Sequence, residues 1–121
     1  TNTGGVNPGP YLGDYPHIGA DSNGFYITTN SYPWCCNGFS GAQIYAISKQ
    51  ALASNAASIT VVQYNTGDPS TNTASGLPGF TVWPSISAGP SPSEFGGTEY
   101  FNCSDENAAR CTSRIRRQLE S

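Results

Sequence analysis

The sequence predicts an all-β fold of short antiparallel strands, and three observations lead to that prediction. Turn-forming residues are frequent, with 14 Gly and 9 Pro among 121 residues, and they separate short runs rich in Tyr, Ile, Val and Thr. Charged residues make up only 11% of the chain, against roughly a quarter in soluble domains, which excludes a charge-rich disordered tail. The length suits one small domain.

Two runs near the start of the chain predict a β-hairpin. Residues 15–21 (YPHIGAD) form an apolar run, and its Pro16 is tolerated at the start of a strand or on a sheet edge. Residues 25–30 (FYITTN) combine aromatic and β-branched side chains. Between these runs, Asp21 to Gly24 gives a turn signal in which the Asn23-Gly24 pair suits positive φ.

The remaining chain up to residue 103 alternates loops with further strand-like runs. A loop over 31–41 leads to the strand AQIYAIS at 42–48, and the alanine-rich residues 49–58 predict a single helical turn or a compact loop. Further strands are predicted at 59–65 (ITVVQYN), 80–87 (FTVWPSIS) and 98–103 (TEYFNC).

The tail over 104–121 differs in character and predicts a short helix or a frayed end. It holds four of the five basic residues of the chain. Ser104 can cap a helix, and Ile115 and Leu119 fall on one helical face. The chain from Cys103 onward contains four arginines and three side-chain carboxylates, so its net charge is only +1. That balance argues against a nucleic-acid or membrane arm.

Four cysteines, Cys35, Cys36, Cys103 and Cys111, allow three disulfide pairings. A bond between the adjacent Cys35 and Cys36 would demand a strained ring, so bonds from this pair to Cys103 and Cys111 are easier. Buried free thiols or one disulfide are the favoured states. With one His and no C-x-x-C pair, no metal site is predicted. A divalent cation on carboxylates stays open, although no D-x-D-x-D-G loop is present.

An internal repeat predicts the architecture. Residues 15–20 (YPHIGA) match residues 83–88 (WPSISA) in the order aromatic-Pro-x-Ile-small-Ala, with an offset of 68 residues. Repeats of several tens of residues with four strands each are typical of β-propeller blades. We therefore expect a β domain over 1–103, with one blade at 15–65 and a partial second blade at 80–101.

The runs DYPHIGADSNGFYITTNSY at 14–32 and GFSGAQIYAISKQAL at 38–52 resemble secreted β-propeller proteins of the sialidase-like or a related type, over about residues 8–101. The resemblance implies an extracellular or periplasmic origin. It does not imply sialidase activity, because the Ser-x-Asp-x-Gly-x-x-Trp box is absent and the only arginines lie in the tail. With its Arg-rich end, the chain looks like a truncated propeller fragment.

One and a half blades would leave strand edges unpaired, and unpaired edges attract another chain. The sequence therefore predicts a homo-oligomer, with strand swapping as one form of it. A net charge of -3 argues against nucleic acid as a partner. The apolar runs are too short to span a membrane.

Three classes of function fit the residues. The first is a hydrolase of glycosides or esters by general acid/base chemistry, with Asp14, His17 and Glu99 as catalytic residues. A carboxylate beside His17 can orient it as a base, and glycoside hydrolysis needs a second carboxylate nearby. The second class is a carbohydrate-binding module that binds a glycan or small molecule through Tyr32, Trp34 and Trp83. The third is a structural fragment without chemistry of its own.

Overall fold

The computed structural model describes residues 11–67, 79–85, 98–104 and 111–116, with residues 98–100, 104 and 111–116 described by their backbone. Within these ranges the chain forms strands and one short helix, which confirms the all-β prediction. The elements are β1 (Tyr11–Ala20), β2 (Gly24–Pro33), β3 (Ala42–Ser48), α1 (Lys49–Ala53), β4 (Val61–Asn65), β5 (Phe80–Pro84), β6 (Thr98–Ser104) and β7 (Cys111–Arg116). No helix in the described ranges is long and apolar enough to cross a membrane.

The strands form two antiparallel sheets. The first sheet has the order β1-β2-β3-β4 and the second has the order β5-β6-β7, so that strands adjacent in the chain are also adjacent in space. The edge strands of the first sheet, β1 and β4, each pair with a strand on one side only among the described residues. The edge position of β1 explains why this strand accommodates Pro16.

The predicted β1–β2 hairpin is present, and Asp21 closes its turn. One carboxylate oxygen of Asp21 accepts hydrogen bonds from the backbone N–H groups of Asn23 at 2.7 Å and of Gly24 at 2.6 Å. The other carboxylate oxygen accepts from the Tyr26 hydroxyl at 3.1 Å. The expected positive φ at Asn23 and Gly24 does not occur, because the Asp21 side chain satisfies the turn without it.

The predicted helical turn after β3 is also present as α1. Ser48 precedes it in an extended conformation, and the Ser48 side chain accepts a hydrogen bond from the Ala51 backbone N–H. This is the expected role of a serine at a helix N-cap.

The tail prediction was wrong over Cys111–Arg116, where the chain forms β7 rather than a helix. β7 pairs with β6 in a register that sets Cys111 opposite Cys103 and Ile115 opposite Glu99. Ser104, expected to cap a helix, is instead the last residue of β6. The ladder with β6 supplies hydrogen bonds along the whole strand, whereas the local helix signals offered one cap and one side-chain pair. The rest of the predicted tail, 105–110 and 117–121, lies outside the described residues.

Side chains of both sheets share one core. The buried apolar residues are Tyr26, Ala42, Ile44 and Ala46 from the first sheet, with Val82 and Phe101 from the second. The rings of Tyr26 and Phe101 meet edge to face, with centroids 5.7 Å apart, a geometry favoured by the aromatic quadrupole. The buried Thr28 hydroxyl donates to the Val82 carbonyl at 2.5 Å, which ties β5 to the centre of the first sheet.

The outer face of the first sheet, turned away from this core, is apolar and partly exposed. The register places Phe25 beside Ile47 and Ile47 beside Val61, and it places Ile18 beside Ile27. Ile18 is 70% exposed and Val61 is 46% exposed. None of these rows carries an Asp, Glu, Lys, Arg or His, so a second copy could cover them without burying charge. The predicted homo-oligomer through unpaired strand edges stays a prediction, and the outer face is a second surface that a copy of the chain could cover.

If the outer face is the contact, a charge placed in it should separate the subunits. We expect the wild-type chain to sediment above its monomer mass of 12.7 kDa at micromolar concentration, and Ile18→Lys or Val61→Lys to sediment as a monomer. Leu52→Lys, on the exposed surface of α1, is the control and should leave the oligomer intact. A stable wild-type monomer in sedimentation velocity would contradict this prediction.

Candidate functional site

A β-bulge in β1 brings two of the predicted catalytic residues onto one face of the sheet. Asp14 lies opposite Asn30 and His17 lies opposite Thr28, so that two residues of β1 intervene where β2 has one. Residues three apart in a regular strand point to opposite faces. The extra residue therefore turns Asp14 and His17 to the same side, about 7 Å apart along the strand.

The bulge requires an uncommon backbone conformation at Tyr15. Its φ is 51°, in the left-handed region that bulky residues rarely adopt. The residue before a proline normally prefers an extended conformation, so nothing in the local sequence stabilises this geometry. Such positions cost on the order of 1–3 kcal/mol and persist only where surrounding contacts hold them.

A second bulge lies in β5, close to the first. Phe80 is opposite Ser104 and Val82 is opposite Cys103, so that Thr81 is the extra residue. Thr81 has a φ of 49°, a second left-handed position in a residue other than glycine. The change of parity turns Phe80 and Trp83 to the same side of β5, although the two are three residues apart.

The side chain of Asn30 connects the two bulges. Asn30 is buried opposite Asp14 in the β1–β2 ladder. Its Oδ1 accepts a hydrogen bond from the Thr81 backbone N–H at 2.9 Å, and its Nδ2 donates to Thr81 Oγ1 at 3.0 Å. One amide thus satisfies the backbone and the side chain of the strained residue in the other sheet.

Three rings stack beside this connection. The imidazole of His17 stacks on the indole of Trp83, with centroids 3.7 Å apart and planes at 28°. The ring of Tyr15 meets His17 edge to face at 4.7 Å. Tyr15 is 56% exposed and Trp83 is 49% exposed. We call the group Asp14, Tyr15, His17 and Trp83 the bulge site.

The two copies of the sequence repeat contact each other at the bulge site. His17 and Gly19 of the first copy lie against Trp83 and Pro84 of the second. A Cβ atom at Gly19 would overlap the Pro84 ring, so this contact requires glycine. The later residues of the second copy, 86–88, lie outside the described residues.

The structure places the three predicted catalytic residues in different surroundings. Asp14 is exposed on the same face as His17. The Nε2 atom of His17 is buried and has no hydrogen-bond partner among the described residues, so it faces away from any substrate in solution. Glu99 lies in β6, and its side chain lies outside what the structure describes. In the described part of the chain, no three His, Cys, Asp or Glu side chains form a group that could hold a metal ion.

The predicted binding residues Tyr32 and Trp34 lie at a second place, the loop between β2 and β3. Trp34 is 63% exposed. Phe39 packs between Tyr32 and Phe80, with ring centroids 5.8 Å and 5.1 Å away. Tyr32 therefore packs against Phe39 of the loop, and Trp34 is the predicted binding residue that is exposed to a ligand.

Backbone hydrogen bonds close the base of this loop. The Ser40 N–H donates to the Ser31 carbonyl at 2.8 Å, and the Ser31 N–H donates to the Gly41 carbonyl at 3.0 Å. Gly41 adopts a φ of 104°, a conformation that glycine takes without strain. The loop is therefore fixed at both ends to the strands that carry it.

The favoured state of buried free thiols or one disulfide was wrong, because no described cysteine is a free thiol and more than one disulfide forms. Cys35 and Cys36 are exposed and form a disulfide with each other, rather than bonds to Cys103 and Cys111. Cys103 is also disulfide-bonded, and the residue opposite it in the β6–β7 ladder is Cys111. Cys35 and Cys36 lie in the loop between β2 and β3, whereas Cys103 lies in β6 of the second sheet.

Sequence reasoning missed the residues that assemble the bulge site. The sequence around Asn30 and Thr81 is typical of ordinary strands. It indicates neither the left-handed backbone at Thr81 nor the hydrogen bonds between the two residues. A partial signal existed in the repeat, since both copies place an aromatic residue directly before proline. Comparisons of the chain with known protein families, with curated proteins and with solved structures found no match. The geometry of the described residues is therefore the basis of the functional argument.

Removing the Asn30 amide should destabilise the protein and release Trp83. Asn30→Ala leaves the half-buried Thr81 N–H without its acceptor, and we expect a loss of about 1–3 kcal/mol in the free energy of unfolding. Urea unfolding followed by tryptophan fluorescence measures both the stability and the surroundings of the indoles.

The matched control for this experiment is Asn37→Ala. Asn37 is exposed in the loop after β2, and its removal should change the unfolding free energy by less than about 0.5 kcal/mol. Equal stabilities for the two variants would show that Asn30 does not hold the bulges together.

Proposed function

We propose that this protein binds glycans through the bulge site. The observation that carries the proposal is the exposed indole of Trp83, which is stacked on His17, whose ring in turn meets the exposed ring of Tyr15 edge to face. A pyranose ring has an apolar C–H face and a rim of hydroxyl groups. Flat aromatic surfaces bury such faces by dispersion and the hydrophobic effect, with little loss of side-chain entropy.

Asp14 supplies the polar contact that such a ligand needs. Its carboxylate is exposed on the same face as His17, and in the described part of the chain it takes part in no salt bridge or hydrogen bond. A free carboxylate can accept two sugar hydroxyls in charge-assisted hydrogen bonds. A few fixed polar groups beside a largely apolar surface are typical of small-molecule sites.

The rigidity of the site supports the same proposal. Both bulges contain a left-handed residue, and Asn30 connects the two through a pair of hydrogen bonds. Backbone strain that is retained in a fold concentrates at functional positions. A platform held in place before the ligand arrives loses less entropy on binding.

Two features support the proposed origin as a secreted propeller fragment. The first sheet follows chain order through four antiparallel strands, and the second sheet begins with the second copy of the repeat, packed on the first copy. No described cysteine is a free thiol, as is usual in oxidising compartments outside the cytosol. A blade with a partial neighbour, of extracellular or periplasmic origin, fits both features.

Substitution of Trp83 tests glycan binding directly. Against a panel of immobilised neutral glycans, we expect the wild-type chain to bind at least one member and Trp83→Ala to lose that binding at least tenfold. Trp83→Phe keeps an aromatic face and should retain part of the affinity. Leu52→Ala, which removes an equally exposed apolar side chain from α1, should bind like the wild type. Equal glycan affinity for wild type and Trp83→Ala would contradict the proposal.

Hydrolysis of glycosides or esters is the second candidate, favoured by the bulge that turns Asp14 and His17 to one face. General acid/base catalysis requires a proton donor or acceptor in reach of the substrate, and Asp14 is the exposed group at the site. If the chain is a hydrolase, Asp14→Asn should stay folded and lose turnover of chromogenic glycosides or carboxyl esters by about 100-fold. Wild-type protein without turnover on any member of that panel would exclude this candidate.

A further inference from the structure

We infer that the ligand is an extended, neutral oligosaccharide that spans two aromatic platforms on one side of the molecule. This inference rests on the proposed glycan binding at the bulge site. The second platform is formed by Trp34 and the Cys35–Cys36 disulfide, and we call it the Trp34 platform.

Strand β5 connects the two platforms. Its bulge turns Phe80 and Trp83 to the same side, and their partners in β6, Ser104 and Asn102, are two residues apart. Phe80 and Trp83 are therefore about 7 Å apart along the strand. Trp83 belongs to the bulge site, and Phe80 packs against Phe39 under the Trp34 loop.

Two groups of aromatic contacts lie at the two ends of this part of β5. Tyr15, His17 and Trp83 form one group, and Tyr32, Phe39 and Phe80 form the other at the loop that carries Trp34. All six rings are at least partly exposed in the folded chain. A row of partly exposed rings longer than one sugar unit indicates a ligand with several units.

The disulfide makes the Trp34 platform rigid and apolar. A bond between adjacent cysteines closes a small ring, which fixes the backbone directly after Trp34. The exposed cysteines add polarizable, apolar surface beside the indole. Together with the hydrogen bonds at the base of the loop, the ring restrains the loop that carries Trp34.

The charges around both platforms select a neutral ligand. Residues 31–48 contain no ionisable acid, Lys, Arg or His. The bulge site contributes the carboxylate of Asp14 and no basic group except the inward-facing imidazole of His17. An acidic sugar would meet a like charge at Asp14, and no Lys or Arg side chain that the structure describes belongs to either platform, so uncharged units fit the site best.

Chain length is the measurement that tests this inference. Isothermal titration with neutral oligosaccharides of one to six β-linked glucose or N-acetylglucosamine units gives the affinity as a function of length. Two linked contacts raise the affinity well above that of either one, by about 100-fold or more when the spacing fits. We therefore expect the six-unit ligands of the bound series to bind about 100-fold more tightly than the single unit.

Variants at the two platforms should separate their contributions. Trp34→Ala is expected to remove most of the gain with length. Cys35→Ser/Cys36→Ser, which leaves the disulfide of Cys103 in place, should reproduce a weaker form of the same loss. Trp83→Ala should weaken binding at every length, and Leu52→Ala should match the wild type throughout.

The outcomes distinguish the inference from the proposed function. If Trp83→Ala abolishes binding while Trp34→Ala leaves the dependence on length unchanged, glycan binding stands and the two-platform inference is overturned. If Trp34→Ala instead changes the sedimentation of the chain and not its glycan affinity, the row of rings is a self-association surface and the inference is likewise overturned. Wild-type protein that binds no member of either series overturns both.

Discussion

The hydrogen bonds between Asn30 and Thr81 are the constraint on which the rest of the structure depends. A buried amide in β2 bonds to the backbone and the hydroxyl of a strained residue in β5, and this fixes the second sheet in one position over the first. The neighbouring bond from Thr28 to Val82 acts in the same direction. Buried polar groups that are fully paired specify one arrangement, because any shift would leave them unsatisfied at a cost of about 1–3 kcal/mol.

That fixed position explains how a small, charge-poor chain retains two strained residues. Tyr15 and Thr81 both adopt left-handed backbone conformations, each unfavourable by itself. These strained residues form the two bulges, and each bulge turns two residues that are three apart in the sequence to the same face of their strand. The bulge in β1 aligns Asp14 with His17, and the bulge in β5 aligns Phe80 with Trp83. Regular strands of the same sequence would have separated both pairs.

The aromatic residues divide into two groups with different surroundings. Tyr26 and Phe101 fill the core, where their burial stabilises the packing of the two sheets. Trp34 and Trp83 keep about half of their surface or more exposed. With so little charge available for recognition, exposed rings are the strongest means of binding a ligand that this surface offers. This contrast is the physical ground for proposing a neutral glycan rather than a charged ligand.

The sequence by itself determined the strands, the hairpin turn and the helical turn, because these follow from local composition. Aromatic and β-branched runs formed β2, β3 and β4 where they were predicted, and Asp21 closed its turn through its own side chain. The repeat also marked two segments that meet in the fold, since His17 and Gly19 of the first copy lie against Trp83 and Pro84 of the second. The local helix signals after Ser104 misled, because pairing with β6 outweighed one cap and one side-chain pair.

Only the tertiary structure decided the bulges, the disulfide in the Trp34 loop and the grouping of Asp14, His17 and Trp83. A tyrosine before a proline is expected to be extended, and no neighbour in the sequence predicts otherwise. The left-handed conformation at Thr81 is stabilised by Asn30, which is distant in the chain, and local sequence carries no record of such a contact. A bulge shifts every later side chain of its strand to the other face. The composition of the site was therefore present in the sequence, while its arrangement depended on contacts between the two sheets.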